Sequence, residues 1–167
     1  TNKCIGFIGV GVMGSSIIKS LLKHSLNSDQ ICISDKSAEK TEELASQYKV
    51  KIKSISEIGQ SCDVIFLAVK PQDLEAVLIE LKKTLKPNVL VISIAAGKKI
   101  EFIEENLASD VLVVRVMPNT PAQIGKGISA IAAGSKISKE DMAAYLGISV
   151  RSLNRSLKEL KDPNAEE

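Results

Sequence analysis

A glycine-rich stretch with the spacing of a phosphate-binding turn, Gly9-Val10-Gly11-Val12-Met13-Gly14, lies near the start of the sequence. It directly follows an apolar run, Cys4 to Ile8, and opens a helical one, Ser15 to Lys23. In this context the first glycine makes a tight turn, the second lets the backbone approach a pyrophosphate, and the third permits close helix packing. Free amides at the helix start bind a diphosphate, aided by the helix dipole. The stretch therefore predicts a dinucleotide site; the alternative is a strand-to-helix turn without a ligand.

An acidic residue, Asp35, stands where a ribose-binding carboxylate is expected. A carboxylate that accepts hydrogen bonds from both ribose hydroxyls favours NAD and repels a 2′-phosphate. Lys36 and the hydroxyls of Ser34 and Ser37 have the opposite preference, because they are able to hold that phosphate. The sequence thus predicts NADP or NAD as the cofactor and leaves the choice open.

Short apolar runs alternate with amphipathic helical ones over most of the chain. The predicted strands are Cys4 to Ile8, Gln30 to Ser34, Val64 to Val69, Val89 to Ile94 and Val111 to Val116, with an additional edge strand at Ile128 to Ala133. The predicted helices are Ser15 to Lys23, Ala38 to Tyr48, Asp73 to Leu85 and Glu101 to Leu107. Strands that are apolar throughout are typical of a parallel sheet covered on both faces. We therefore predict an α/β fold, a doubly wound and mostly parallel Rossmann sheet with a short C-terminal helical segment.

Length and composition limit the alternatives. With 167 residues, 44% of them hydrophobic, the chain suits one well-cored domain and a small appendage. We place a dinucleotide-binding domain at 1–134 and a two-helix segment with a polar tail at 135–167. The formal net charge of +2 singles out neither nucleic acid nor an anionic membrane as a partner. Without a membrane-length apolar run or the layout of a signal peptide, the expected location is the cytoplasm.

The three cysteines, Cys4, Cys32 and Cys62, lie in or beside apolar β-like runs. None of them belongs to a CxxC pair or stands near a cluster of histidines. We predict reduced core cysteines and no metal site, with a disulfide or a metal centre as the alternative.

Three further motifs follow predicted strands, where open α/β sheets bind their ligands. They are Ala68-Val69-Lys70-Pro71-Gln72, Ser93-Ile94-Ala95-Ala96-Gly97 and Arg115-Val116-Met117-Pro118-Asn119-Thr120-Pro121-Ala122. Together with Phe7 to Gly14 they resemble the N-terminal domain of pyrroline-5-carboxylate reductase, from Lys3 to about Ala133. The four motifs occur in the family's order, which makes the resemblance specific.

The resemblance implies an oxidoreductase of proline biosynthesis that transfers hydride from NAD(P)H to the C=N carbon of pyrroline-5-carboxylate. It implies that Ala68 to Pro71 lie along the adenosine and nicotinamide ribose side, that Ala95 to Gly97 approach the nicotinamide, and that Met117 to Pro121 form the floor near the substrate. A protonated cyclic imine is already electrophilic, so that orientation accounts for most of the catalysis. We name no catalytic acid or base.

The C-terminal segment departs from this family. Family members carry a second, helical domain that dimerises and helps to bind the substrate carboxylate, announced by a Ser-Gly-Ser-Gly-Pro-Ala stretch that this chain lacks. We therefore expect a cofactor domain without half of its substrate site, as a monomer or a weak homodimer through residues after Ser138.

Residues 137–160 resemble instead a helix-turn-helix of the cyclic-AMP receptor protein type. Ser138 and Ser149 would cap its two helices, and Arg151, Asn154 and Arg155 would contact nucleic acid. The alternative function is therefore a nucleotide-sensing DNA-binding regulator, and the plainer interpretation is a further helix that packs on the sheet edge.

Overall fold

The computed structural model describes residues 2–24, 26–108, 110–118, 129–138 and 140–141. Within these residues the strands are β1 (Ile5–Ile8), β2 (Ile31–Ser34), β3 (Lys51–Ile52), β4 (Val64–Leu67), β5 (Leu90–Ser93), β6 (Leu112–Pro118) and β7 (Ser129–Ala133). The α-helices are α1 (Val12–His24), α2 (Ala38–Tyr48), α3 (Ile55–Ser61), α4 (Pro71–Lys82) and α5 (Ile100–Asn106). A single 3₁₀ turn at Ser28–Gln30 precedes β2 in this described part.

The described strands form one sheet in the order β3-β2-β1-β4-β5-β6-β7. Strand β1 lies between β2 and β4 in parallel register, so that Ile5 pairs with both Ile31 and Val64. Strand β7 runs antiparallel to β6, with Pro118 paired to Ser129. The predicted doubly wound, mostly parallel Rossmann sheet is confirmed, and the additional edge strand is present as β7.

Each face of the sheet has its own apolar core, because alternate residues of a strand point to opposite faces. Helices α1 and α2 cover a core that contains Ile18, Leu44 and the stacked rings of Phe7 and Phe66, 4.6 Å apart. Helices α3, α4 and α5 cover the other face; the residues buried there include Ile8, Cys32, Ile58, Cys62, Ile65, Leu67, Leu74, Leu78, Leu81 and Ile103. This burial on both faces explains why the strands are apolar throughout.

Two elements were not predicted, β3 and α3. Strand β3 has only two residues, both exposed, and thus carries no apolar run. Helix α3 has seven residues and begins with a capping box, in which Ser54 Oγ accepts from the Glu57 amide at 3.2 Å and Glu57 Oε2 accepts from the Ser54 amide at 2.8 Å. Such a box is a sequence signal for a helix start. The helix is too short to show a clear apolar periodicity, so the box is the signal that could have predicted it.

Helix boundaries also differ from those predicted. Helix α1 begins at Val12 rather than Ser15, inside the glycine motif. Helix α4 begins at Pro71 rather than Asp73, since proline at the first helical position already has a helical φ and needs no amide partner. Both shifts bring helix starts closer to the carboxyl edge of the sheet.

The C-terminal segment is described only in small part. The Asp141 amide donates to Ser138 Oγ at 3.0 Å, a bond of the kind that caps a helix. The helix-turn-helix predicted for 137–160, with Ser149, Arg151, Asn154 and Arg155, otherwise lies outside the described residues.

Among the described helices, none has the length and apolar character that crossing a membrane requires.

Candidate functional site

The turn after β1 has the backbone geometry that its glycines predict. Gly9 has φ +94°, and a Cβ at this residue would lie 2.5 Å from the carbonyl oxygen of Ala68. The Gly9 amide donates to Ser34 O at 2.8 Å, and the Ala68 amide donates to Ile8 O at 2.8 Å. The turn is thus held between the ends of β2 and β4, at a distance that only glycine permits.

The other two glycines have opposite surroundings. A Cβ on Gly14 would collide with the carbonyl oxygen of Gly9 and lie 3.2 Å from Ala68 Cβ, so Gly14 allows α1 to pack on the turn. A Cβ added to Gly11 would meet no atom of the described residues within 4 Å. Gly11 therefore leaves open space directly beside the start of α1.

The start of α1 offers hydrogen-bond donors to that space. The Ser15 amide bonds to Gly11 O at 2.9 Å, which makes it the first amide within the helix ladder. The amides of Val12, Met13 and Gly14 precede it and have no carbonyl of the helix to bond. The Val12 residue is 66% exposed. These amides and the helix dipole together suit an anionic group.

Asp35 braces the turn. Its Oδ2 accepts from the Val10 amide at 2.8 Å, and its Oδ1 accepts from the Ser37 amide at 2.9 Å. One carboxylate thus joins the glycine turn to the start of α2. The sequence predicted a ribose-binding role for Asp35 but did not reveal this link between two backbone segments.

A cavity of about 620 Å³ opens at this edge of the sheet. Among the predicted site residues, it is lined by Gly9, Gly11, Ser34, Asp35, Lys36, Ala68, Val69 and Lys70. The lining does not include Val10, Val12, Met13, Gly14 or Pro71. The structure therefore brings together the ends of β1, β2 and β4, as the motif order predicts.

Several cavity residues were missed by sequence reasoning. They are Ile8, Lys40, Ile55, Asp73, Ala76 and Val77; Ser37, whose hydroxyl was predicted to hold a 2′-phosphate, also lines the cavity. Lys40 lies three residues after Ser37, whose Oγ accepts from the Lys40 amide at 3.4 Å at the start of α2. The sequence signal that could have identified Lys40 is a basic residue in the first helical turn after Asp35, the predicted ribose-binding acid.

Two cations line the part of the cavity near Asp35. Lys36 Nζ lies 2.6 Å from Asp73 Oδ1 in an exposed ion pair. Lys40 is exposed in the first turn of α2. Exposed ion pairs contribute about 0–1 kcal/mol, so that the Lys36–Asp73 pair opens readily for a competing anion.

The remaining predicted residues lie farther along the same edge. Ala95 is buried after β5, whereas Ala96 and Gly97 are exposed and Gly97 has φ +72°. Met117, 45% exposed, lies near the end of β6 beside Pro118. These residues lie outside the cavity lining, and the predicted substrate residues Asn119, Thr120 and Pro121 lie outside the described residues.

Comparisons with known proteins show which proteins the chain resembles. A family model described as NADP oxidoreductase, coenzyme F420-dependent, matches residues 4–97. The chain is 38% identical over 141 residues to pyrroline-5-carboxylate reductase 1 of Bacillus spizizenii, covering 83% of this chain and 48% of that protein. It is 36% identical over 148 residues to pyrroline-5-carboxylate reductase of Escherichia coli, covering 87% and 55%. The chain spans about half the length of the curated relatives it matches.

Solved structures lead to the same family. A pyrroline-5-carboxylate reductase from Coxiella burnetii matches with a TM-score of 0.80 and 30% identity over 87% of this chain and 54% of that one. The Plasmodium falciparum enzyme with NADP bound matches with a TM-score of 0.73 and 28% identity over 86% and 53%. These relatives give no support to the helix-turn-helix interpretation. The predicted resemblance is confirmed: the chain belongs to the family described as NADP oxidoreductase, coenzyme F420-dependent, and its domain is similar to the N-terminal half of pyrroline-5-carboxylate reductases.

Proposed function

We propose that this chain is the dinucleotide-binding half of a pyrroline-5-carboxylate reductase and serves proline biosynthesis. The observation that carries the proposal is the open space at Gly11, bordered by the start of α1 and by Asp35, in a chain 38% identical to a reductase of that name. The proposed cofactor residues are Gly9, Val10, Gly11, Val12, Met13, Gly14, Ser34, Asp35, Lys36, Ala68, Val69, Lys70, Pro71, Ala95, Ala96 and Gly97.

The diphosphate of the dinucleotide is proposed to lie over Gly11. The three free amides at the start of α1 donate to its oxygens, and the helix dipole favours its charge. Val12, which is 66% exposed, is proposed to be covered by the bound dinucleotide. Ala68 and Val69, at the end of β4, border the same cavity and are proposed to contact the riboses.

For the adenosine ribose, the residues around Asp35 favour NADP over NAD. Both oxygens of Asp35 already accept backbone hydrogen bonds, which offsets part of the carboxylate charge. Lys36, Lys40 and two hydroxyls, those of Ser34 and Ser37, line the cavity nearby and suit a 2′-phosphate. We infer that NADPH binds more tightly than NADH and that NADH still binds.

The substrate is proposed to be pyrroline-5-carboxylate, over a floor formed by Met117, Pro118, Asn119, Thr120 and Pro121. When bound, the reduced dinucleotide supplies a hydride to the C=N carbon, the electron pair of that bond passes to the ring nitrogen, and the product is proline. The nitrogen is protonated beforehand, so no side-chain acid needs to act in this step. The chain contributes by positioning the two partners and by excluding water.

The proposal includes two further points on the protein as a whole. We propose a cytoplasmic protein that is a monomer or a weak homodimer through residues after Ser138. A tight dimer that survives deletion of 139–167 would contradict the second point.

The test measures binding and turnover on the same purified chain. NADPH and NADH are titrated separately, with nicotinamide fluorescence as the signal, up to about 1 mM. Pyrroline-5-carboxylate is then added, and loss of reduced dinucleotide and gain of proline are followed together. Proline formation supports the full proposal, and binding without turnover restricts it to the dinucleotide-binding half. Absence of binding of both dinucleotides contradicts it.

A further inference from the structure

Three cysteine sulfurs lie together at the amino-terminal edge of the sheet, opposite the dinucleotide cavity. Cys4 immediately precedes β1, Cys32 lies in β2, and Cys62 immediately precedes the chain segment that enters β4. Cys4 Sγ is 3.2 Å from Cys62 Sγ and 3.7 Å from Cys32 Sγ, and all three sulfurs lie within 4.8 Å of one another. All three are free cysteines, two of them buried and Cys4 half-buried.

The fold makes room for these sulfurs at Gly6. Gly6 pairs with Cys32 across β1 and β2, so both residues face the side of the sheet that α3 covers. A Cβ on Gly6 would lie 3.1 Å from Cys62 Sγ and would collide with Ile58 Cγ2. A residue without a side chain in the central strand is therefore what allows the Cys62 sulfur to reach the sheet.

We propose that Cys4, Cys32 and Cys62 bind one thiophilic metal ion, of the Zn²⁺ or Cu⁺ kind, at this edge of the sheet. Metal–sulfur bonds of about 2.3 Å place thiolate sulfurs about 3.8 Å apart in a tetrahedral site and about 4.0 Å apart in a trigonal one. The spacings of 3.2 Å, 3.7 Å and at most 4.8 Å bracket these values, so small side-chain rotations suffice. Soft thiolate donors select Zn²⁺ and Cu⁺ among the common cations.

Binding displaces the thiol protons to solvent, and nearby cations offset the resulting negative charge. Lys53 Nζ donates to Ser61 Oγ at 3.1 Å, and Ser61 Oγ lies 3.9 Å from Cys62 Sγ. The half-buried Cys4 leaves a route for entry and for a fourth ligand from solvent.

A disulfide is the other chemistry open to adjacent sulfurs. It would join two of them, leave the third unpaired, and require an external oxidant. Three sulfurs within 4.8 Å of one another are able to share one cation, whereas a disulfide uses two and leaves the third unused. The expectation of reduced core cysteines without a metal is therefore replaced by a proposed metal centre.

The experiment uses the full chain, stripped of metal and kept reduced with a phosphine, which does not compete as a thiol would. Zn²⁺ is titrated in competition with a chromophoric chelator, Cu⁺ in a parallel arm under anaerobic conditions, and Co²⁺ as a spectroscopic probe. We expect one equivalent to bind in at least one of the first two arms, and the tighter arm identifies the ion. Co²⁺ is expected to give the intense visible and near-ultraviolet bands of thiolate coordination.

Two variants make the result specific. Cys4→Ser alters the half-buried cysteine, so the fold is preserved, and is expected to weaken binding at least about tenfold. Ile58→Val trims a side chain beside the cluster while it keeps all three sulfurs, and is expected to bind as the unmodified chain does. Circular dichroism and thermal unfolding confirm that both variants are folded.

Three outcomes would overturn the proposal. They are absence of stoichiometric binding in both the Zn²⁺ and Cu⁺ arms, equal binding by folded Cys4→Ser, and a Cys4–Cys62 disulfide that forms in air in the presence of excess Zn²⁺. Mass spectrometry detects the last as a loss of two hydrogens.

Discussion

The Val10 amide donates a hydrogen bond to Asp35 Oδ2 at 2.8 Å, which links the turn after β1 to the residue after β2. The same carboxylate accepts from the Ser37 amide through Oδ1, so that both of its oxygens hold backbone. An amide side chain has one acceptor oxygen and one donor nitrogen and is unable to accept from both. Residue Asp35 therefore has to be a carboxylate to hold the shape of the turn, apart from the effect of its negative charge.

We predict that Asp35→Asn destabilises the chain and weakens dinucleotide binding. One of the two backbone amides loses its acceptor, which costs about 1–3 kcal/mol in the free energy of unfolding. Urea denaturation measures this loss, and a fluorescence titration with NADPH measures the second effect. Glu42→Gln, a similar charge change on an exposed part of α2, is the control and is expected to leave both quantities unchanged. Equal stability of the two variants would contradict the bracing role.

Gly11 and Gly14 form a matched pair, because the same added methyl group meets open space at one and backbone at the other. Gly14→Ala is expected to lower the free energy of unfolding by about 1–3 kcal/mol, through the clash with Gly9 O. Gly11→Ala is expected to lower it by about 1 kcal/mol or less and yet to lose NADPH binding, since its methyl group fills the space proposed for the diphosphate. Urea denaturation and fluorescence titration separate the two effects. A stable Gly11→Ala chain that binds NADPH normally would place the diphosphate elsewhere.

The choice between the two dinucleotides is predicted to depend on Lys40. Lys40→Gln removes a cation from the proposed 2′-phosphate position and is expected to weaken NADPH binding about tenfold, with NADH binding changed by less than about twofold. Lys23→Gln, at the far end of α1, controls for net charge. Paired titrations at two ionic strengths provide the measurement. Equal losses for NADPH and NADH would show that Lys40 does not contact the 2′-phosphate.

Acid is predicted to weaken an ion pair at the amino-terminal edge. Hydrogen bonds from Lys86 Nζ at 2.7 Å and from the Cys4 amide at 2.8 Å hold the pKa of Asp63 below its usual range. A carboxyl with a depressed pKa contributes stability above its unfolded pKa of about 3.9 and loses it as the pH falls through the lower folded pKa. Asp63→Asn is thus expected to be less stable at pH 7, by about 1 kcal/mol because the pair is partly exposed, and the difference is expected to shrink below about pH 4.

Urea denaturation at a series of pH values from 7 to about 3 measures this effect. Glu75→Gln on the exposed side of α4 is the control, expected to match the unmodified chain at each pH. A deficit in Asp63→Asn that stays constant down to the lowest pH would mean that packing, and not the carboxylate charge, is responsible.

Most of the sheet was predictable because burial on both faces leaves a simple pattern of apolar strands. The exceptions are elements too short to carry that pattern, β3 and α3, which are held by their neighbours and by a capping box at Ser54. The turn at Gly9 was predictable because it depends on the local backbone, whereas the two hydrogen bonds that Asp35 accepts join separate segments and were not predicted. Lys40 was missed because its place at the cavity depends on the direction in which α2 leaves the sheet.

The cysteine cluster shows the limit of reasoning from spacing. Cys4 is separated by 28 residues from Cys32 and by 58 from Cys62, distances that no local motif would join. They meet because β1 lies between β2 and β4, so that the entrances to three strands are adjacent. Only the strand order converts these three scattered residues into neighbours.

The position of β1 also governs the order in which the molecule can assemble as it is synthesised. Strand β1 is complete at Ile8, and β2 can pair with one of its edges once Ser34 has left the ribosome. The other edge stays open until β4 is made, more than fifty residues after β1. In that interval the nascent chain carries an apolar strand with unpaired amides and carbonyls, which is open to chaperones and to wrong partners. A strand that is interior in the finished sheet is therefore exposed along one edge while the chain is being made.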